Sequence, residues 1–386
     1  MTNSRPEYEF DRKIRSGAPI KILGLNSGTS ADGLNMVLAE FDRGALPFVI
    51  RSGVVSFDKR LRNKIIACSE PGFSDGIEWL KLDLELGKLF GGMAADFIGS
   101  ARKSGLDVDL VASHGQTVRH LPEISISFQL GDPAVIASLT GLPVVADFRR
   151  SDRAAGGQGA PLSPILHEFL FRDDKSFRTI VNIGGISNVT ALPPRKSRKN
   201  PFAADCGPGN MLIDAAMSLL YGKAFDRDGG IARSGRPSPR VISRVLSHRF
   251  FKIPPPKSTG RELFGTVFLG SILKTSSCLS PADIIATVSE ITVRSISDFI
   301  RTFAGSARET LLCGGGAKNR YIIERLREEL PFCSIDTTSD RGYDPDHIEP
   351  LLWAYLAYMF ITGSRVSVRG FTGAAKSYIP GALWLP

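Results

Sequence analysis

The chain has 386 residues, 42% of them hydrophobic and 23% charged, with a net charge of +9. That balance is typical of a globular enzyme, and the length exceeds what a single core usually serves, so two domains are expected. The longest apolar run, Leu351 to Thr362, is too short to span a bilayer, the N-terminal residues lack the apolar stretch of a secretory leader, and five scattered cysteines form no CxxC pair; these features argue against a membrane protein, a disulfide framework and a zinc site, and point to a reducing cytoplasm.

Residues 1–20 read as a flexible tail of mixed charge. Two strand-like runs follow, Ile20 to Leu25 and Met36 to Phe41, enclosing Ser27-Gly28-Thr29-Ser30-Ala31-Asp32-Gly33. A turn of this composition presents backbone N–H groups and hydroxyls to one point, which suits a nucleotide phosphate. No Gly-Lys-Ser/Thr follows, so it is not a Walker loop, and an ordinary hairpin turn is the plainer reading. Next, Ser113-His114-Gly115-Gln116-Thr117 follows the strand-like Asp109 to Ala112. Phe128 to Pro133, Asp147 to Arg150 and Gly156 to Pro161 are further polar or glycine-rich strand ends. Amides, carboxylates and guanidinium groups gathered at strand ends match a sugar or other small polar ligand, although turn formation explains them too, and for His114 alone it is the better reading. His167-Glu168 has no second histidine at helical spacing, so no metal-ligand set is assigned.

The first pattern recurs. Arg178 to Ile183 reads as a strand, Gly184 to Asn188 as a turn, and Val189 to Leu192 as the returning strand, with Gly28 and Gly184 156 positions apart (184 minus 28). The stretch Arg195 to Lys199 reads as a solvated basic loop. Phe202 to Asp205 ends a strand, Cys206-Gly207-Pro208-Gly209 turns the chain, and Asn210 opens a helix. Leu311 to Cys313, Gly314-Gly315-Gly316-Ala317 and the helix from Asn319 repeat that plan. Both are strand–glycine–helix units whose helix N-termini can meet an anion. Asp205 is the best candidate for a general base, with helix capping as the alternative. Glu349, at the start of a helix running to Met359, is the second candidate, and a first-turn glutamate favoured by the helix dipole is its plainer reading. No DNA- or RNA-binding motif is present, so the positive charge reads as attraction for an anionic substrate such as ATP rather than nucleic acid.

From about Lys21 to Ser377 these segments resemble the anhydro-N-acetylmuramic acid kinase family. The matching stretches are Ser27 to Gly33, Ser113 to His120, Asp147 to Arg150 with Ala154 to Leu162, Asn182 to Asn188, Asp205 to Met211, Lys257-Ser258-Thr259-Gly260-Arg261-Glu262, and Cys313 to Ala317. The resemblance implies an α/β, two-lobed actin-like and sugar-kinase-like ATPase fold with ATP and Mg²⁺ in a central cleft. Lobe I would be 21–150 completed by 365–386, and lobe II would be 151–364. It implies that water attacks the anomeric carbon of a 1,6-anhydro sugar, that the ether opens, and that the released O6 takes the γ-phosphoryl group. Asp205 matches the base that activates the water, and Glu349 an acid that assists at the sugar. Gly28, Thr29, Ser30, Ala31, Asp32, Gly33, Leu34 and Asn35 match the ATP-phosphate segment. Gly184, Gly185, Gly207, Gly209, Asn210, Gly314, Gly315 and Gly316 are the other expected nucleotide contacts, and His114, Gln116, Arg149 and Gln158 the expected sugar contacts. A cytoplasmic enzyme, with a homodimer as its possible assembly, is expected.

The chain departs from the resemblance at three places. Asn35 stands where Asp is usual, which removes a charge near Mg²⁺. Cys206 replaces a threonine and loses a hydroxyl. Asn26 stands where bacterial members commonly have Met, a variant shared with the related levoglucosan kinases. A kinase for levoglucosan or another anhydro sugar, and a catalytically weak sugar-binding paralogue, are therefore the competing readings.

Overall fold

The computed structural model describes residues 7–28, 30–70, 72–276, 278–368 and 370–386. It divides into two compact units: one extends to Leu166 and resumes at Glu349–Pro386, and the other is His167–Ile348. The α/β, two-unit expectation holds, but both boundaries differ from those expected at 150 and 364. Residues 151–166 join the first unit because buried Asp152 ties them to its C-terminal segment: its carboxylate accepts from the Gly159 N–H at 2.7 Å and from the Thr372 and Tyr378 hydroxyls at 2.7 and 2.9 Å. The helix Ile348–Ile361 belongs there, from Glu349 onward, because it lies directly on the first strand. The tail expectation fails in part: Glu9–Ser16 is a helix, with Phe10 buried and Lys13 paired to buried Asp109 at 2.8 Å.

The strands are β1 Ile20–Ser27, β2 Gly33–Phe41, β3 Phe48–Ser56, β4 Leu110–Leu121, β5 Ile126–Leu130, β6 Val144–Ala146, β7 Arg178–Ile183, β8 Ile186–Leu192, β9 Phe202–Pro208, β10 Glu309–Cys313, β11 Ser334–Thr337 and β12 Ala382–Trp384. The first unit's sheet runs β12-β6-β4-β1-β2-β3, with β5 on β4; the second runs β11-β10-β7-β8-β9. The inner order is the same in both. An antiparallel three-strand meander is followed by two strands parallel to its first member. The repeat suggested by the two glycine hairpins is therefore a repeat of topology.

Strand alternation explains which faces are buried. Leu23 and Leu25 of β1 and Leu34, Met36 and Leu38 of β2 pack with Leu82, Leu86, Phe90 and Phe97 of the helix Gly76–Lys103. The opposite face of β1, Ile22, Gly24 and Asn26, meets the helix Ile348–Ile361. A Cβ on Gly24 would lie 2.0 Å from the Pro350 carbonyl oxygen, so only glycine lets the helix start approach this closely. In the second unit the helix Pro281–Ala304, opened by a Ser280–Asp283 capping box, is buried along most of its length against β8 and β9.

Candidate functional site

In the second unit three glycine corners converge. Gly184 and Gly185 form the β7–β8 turn, and their carbonyls accept from the N–H groups of Asn210 at 2.7 Å, Gly209 at 2.9 Å and Met211 at 3.1 Å. Asn210 opens the helix Asn210–Tyr221, and its Nδ2 donates to the Ile183 carbonyl at 3.1 Å. A Cβ on Gly209 would meet the Gly184 carbonyl oxygen at 2.2 Å; one on Gly314 (φ 76°) would meet Asn182 Oδ1 at 2.2 Å, and one on Gly316 would meet Ile183 Cγ2 at 2.2 Å. Close backbone approach, not turn flexibility alone, calls for these glycines. Gly315 lies at the same corner, 3.7 Å from Asn210 Nδ2 when given a Cβ.

Gly207 is not part of this corner. Cys206, Gly207 and Pro208, expected as a turn, are the last residues of β9, an edge strand where proline's missing donor is tolerated. A Cβ on Gly207 would lie 2.6 Å from Ser295 Oγ, so this glycine serves packing against the helix Pro281–Ala304. Asp205 is likewise inside β9 rather than at a helix start. Asn188 pairs with Asp205 and Ser187 with Gly207, so Cys206 is an extra residue and Asp205 stands at a bulge. Bulges re-aim side chains. The Thr259 N–H donates to Asp205 Oδ2 at 2.8 Å, and the Asp205 N–H donates to the Lys257 carbonyl at 3.0 Å. Lys257 Nζ in turn donates to the Phe250 carbonyl at 2.9 Å and lies over the Phe250 ring at 4.4 Å. The Lys257–Glu262 segment thus supplies a backbone donor to the candidate base.

In the first unit, the β1–β2 turn holds Ser30 and Asp32 in solvent and Ala31 and Leu34 in the core. Ala31 takes φ 53°, and its N–H donates to the Gly28 carbonyl at 3.0 Å. Asp32 pairs with Arg62 at 2.9 Å. Gly33 opens β2, where a Cβ would meet the Val55 carbonyl oxygen at 2.4 Å. Thr29 lies outside the described residues. Gln116 secures the turn: its Oε1 accepts from the Ser27 hydroxyl at 2.5 Å and its Nε2 donates to the Gly28 carbonyl at 3.2 Å. Asn35 pairs in register with Asn26 and shares its face of the sheet.

Glu349 is on the same sheet face as that pair. Its Oε2 accepts from Asn26 Nδ2 at 2.7 Å, and Asn26 Oδ1 accepts from Trp353 Nε1 at 2.8 Å. Trp353 stacks on His114 at 4.1 Å with 10° between planes. His114, expected after a strand, is inside β4 at a bulge: Leu25 pairs with Ser113 and Ser27 with Gln116, with Gly115 at φ 76° between them. Arg149 Nε donates to His114 Nε2 at 2.9 Å and its Nη1 to the Gly159 carbonyl at 2.7 Å. Burial holds the His114 pKa well below its usual value, with the Arg149 guanidinium acting in the same direction. The neutral ring, accepting at Nε2, carries its proton on Nδ1, which makes no full hydrogen bond, and an interaction with the Gly115 backbone acts more weakly against the lowered pKa. Burial also pulls Arg149 down to about 10 against the opposing effect of Glu349. Arg149 is thus half-buried, lines the cavity beside His114 and orients the His114 ring.

A cavity of about 320 Å³ opens beside these groups, lined by Ser113, His114, Gln129, Asp132, Asp147 and Arg150 among others. The Ser113 hydroxyl, like His114 Nδ1, is buried there without a hydrogen-bond partner. Arg150 pairs with Asp147 at 3.2 Å, and its side chain keeps 59% exposure. Gln158 is exposed; its backbone N–H donates to the Thr372 carbonyl at 3.0 Å, and the structure does not bring it into the cavity lining. Asn26, Trp353, Ser113 and Asp152 were not read as site residues. Asn26 and Ser113 stood in segments already singled out, and Trp353 carried a signal of its own, one helical turn after Glu349 on the same face.

The second unit thus brings three glycine corners together on the sheet whose edge strand carries Asp205, and the class of the protein follows from its relatives. Residues 20–386 match the family model described as anhydro-N-acetylmuramic acid kinase. Proteins of that name from Coxiella burnetii (40% identity over 367 residues, 94% of this chain and 97% of the relative), Cupriavidus pinatubonensis (38% over 370, 94% and 98%) and Shewanella amazonensis (40% over 362, 93% and 97%) are similar along their full length. The chain belongs to the anhydro-N-acetylmuramic acid kinase family. Among the described residues no helix is long and apolar enough to cross a membrane.

Proposed function

We propose that this kinase adds water across the 1,6-anhydro bond of anhydro-N-acetylmuramic acid and phosphorylates O6, giving N-acetylmuramic acid 6-phosphate for cell-wall recycling. The observation that carries this reading is Asp205, whose Oδ2 is tied to the Thr259 N–H while it stands on the sheet that forms the glycine corner. A carboxylate so oriented can take a proton from water as the water oxygen bonds to C1. The C1–O6 bond then breaks with its electron pair on O6, and O6 attacks the γ-phosphorus as the bond to ADP opens. In this reading Gly184, Gly185, Gly209, Asn210 and Gly314–Gly316 are the nucleotide contacts of the second unit, and the β1–β2 turn from Gly28 to Asn35 is the phosphate turn of the first. The cavity beside His114 takes the sugar, His114 Nδ1–H and the Ser113 hydroxyl meet its polar atoms, and Arg150 is the cation open to the lactyl carboxylate.

Mg²⁺ would enter with ATP. Among the described residues no cluster of three or more His, Cys, Asp or Glu side chains is placed to hold a metal. Mg²⁺ commonly takes one or two carboxylates and completes its shell with phosphates and water. Asp32, which pairs with Arg62, is the carboxylate of the phosphate turn that fits this need. Cytoplasmic location and a homodimer complete the proposal.

The test is a panel of anhydro sugars, levoglucosan included, with ATP in ¹⁸O-labelled water. Label in the C1 hydroxyl of a 6-phosphate, made from the muramic acid sugar in preference to levoglucosan, is expected. Turnover of intact reducing sugars alone would overturn the reading. Asp205→Asn is expected to lower kcat by about 10²–10⁴-fold while ATP still binds.

A further inference from the structure

We propose that Asn26 is a positioning residue for Glu349, fixing one oxygen of that carboxylate through a side-chain chain anchored in the fold. The inference rests on Glu349 assisting at the sugar, the role that the family resemblance implies for it. It starts from the sheet. Gly24 lets the helix Ile348–Ile361 come within one glycine's clearance of β1, and Asn26, two residues on, faces the same helix. Asn26 is 3% exposed, so its amide needs partners on both ends.

Those partners set its orientation. Trp353 Nε1 can only donate, so it must meet Asn26 Oδ1; Nδ2 is then directed at Glu349 Oε2. A flipped amide would oppose two donors at one end and two acceptors at the other, losing both bonds. Trp353 cannot easily turn away, because it is stacked on His114 and packed at 5.5 Å against Phe148, and Arg149 lies over it at 5.6 Å. His114 is itself held by Arg149. Glu349, by contrast, is exposed at the helix start. Nothing about a first-turn glutamate restricts its rotamer, so the Asn26 amide supplies the restriction. Leucine or methionine at this position would leave the Trp353 N–H without its acceptor and Glu349 unguided.

A double-mutant cycle on kcat tests this, with saturating ATP and the anhydro sugar. Asn26→Met is expected to lower kcat about tenfold with KM for ATP unchanged. In a Glu349→Gln background the same change is expected to lower kcat no further. Trp353→Phe keeps an aromatic ring against His114 and removes the indole N–H with part of the ring; it gives a second, smaller reading of about threefold, again absent in the Glu349→Gln background, and remains informative if Asn26→Met does not fold. Kinetics of Asn26→Met within twofold of wild type, or losses that multiply with Glu349→Gln, would overturn the inference. If Glu349→Gln alone keeps wild-type kcat, the role given to Glu349 falls first, and the Asn26 inference with it.

Discussion

The two candidate acidic groups are held in different ways. Asp205 is held by main chain: a Thr259 N–H on Oδ2, with the residue itself turned by a bulge in β9. Glu349 is held by a side chain, Asn26, which is steered by another side chain, Trp353. The glycine corner next to β9 is also main chain, three turns bonded to one another or pressed within van der Waals range. A site made of backbone tolerates many side chains but few changes at its glycines. A site made of side chains tolerates backbone variety but depends on particular residues far apart in sequence. Substrate choice is expected to vary through the second kind of site, and phosphate handling to persist through the first.

The sharpest way to break this comparison is at the glycines. Gly209→Ala puts a Cβ 2.2 Å from the Gly184 carbonyl oxygen and 3.0 Å from Ser187 Oγ. The chain must move, and the Asn210-to-Gly184 bond goes with it. Loss of ATP binding by tenfold or more is expected by titration calorimetry, with about 1–3 kcal/mol lost in denaturant unfolding. Gly184→Ala is the control, because its nearest neighbour would lie at an ordinary 3.6 Å; it is expected to bind ATP within about threefold of wild type. Equal effects at the two positions would show that crowding at the corner is not what matters.

Asp152→Asn probes the side-chain half with a smaller expected effect. The Asp152 carboxylate accepts three hydrogen bonds, one from the Gly159 N–H and two from hydroxyls, and an amide gives up the charge that strengthens all three and must turn the hydroxyls round to accept from its NH2. About 1–3 kcal/mol of stability should be lost. The loop carrying Gly159 should loosen, and with it the carbonyl that holds Arg149. KM for the sugar is therefore expected to rise more than KM for ATP in steady-state kinetics. An equal rise in both would deny that Asp152 acts through the sugar side.

The same contrast explains what could be read from sequence. The β7 bounds, Arg178 to Ile183, follow from a β-branched run closed by Gly-Gly, and the helices after Gly209 and Asn319 follow from glycine or asparagine before an apolar period. These are local signals. The Cys206-Gly207-Pro208 segment misled, because glycine and proline mark turns on average, whereas here one makes room for Ser295 and the other ends an edge strand. Ser113 to Thr117 misled in the same way, a bulged strand interior taken for its end. The link from Asn26 to Glu349 spans 323 positions, and no local rule joins them. Arg149 was picked for its charge, and the structure adds that its guanidinium holds His114 and the Gly159 carbonyl while it lines the cavity together with Arg150.

The second unit also has buried polar side chains that run against its backbone-built character, His167 among them. His167 is fully buried, its Nδ1 in contact with Thr190 Oγ1 at 2.9 Å and its Nε2 without a partner. Burial alone pushes its pKa down to about 3 from 6.5. The folded state keeps the ring neutral while the unfolded chain protonates near 6.5, so between about pH 6.5 and 3 the unfolded state binds the additional proton. The neutral ring's contribution is intact above pH 6.5 and is lost as pH falls, at up to about 1.4 kcal/mol per pH unit for this one group. His120, held at about 4 by burial and by Arg149, and His114 act in the same direction in the first unit. His167→Gln removes one titrating group from the second unit, so its unfolding free energy, followed by urea titration between pH 7 and 5, should fall less steeply than that of wild type. A slope unchanged by the substitution would mean that acid sensitivity lies in the first unit's histidines, which would restore the contrast between the two units.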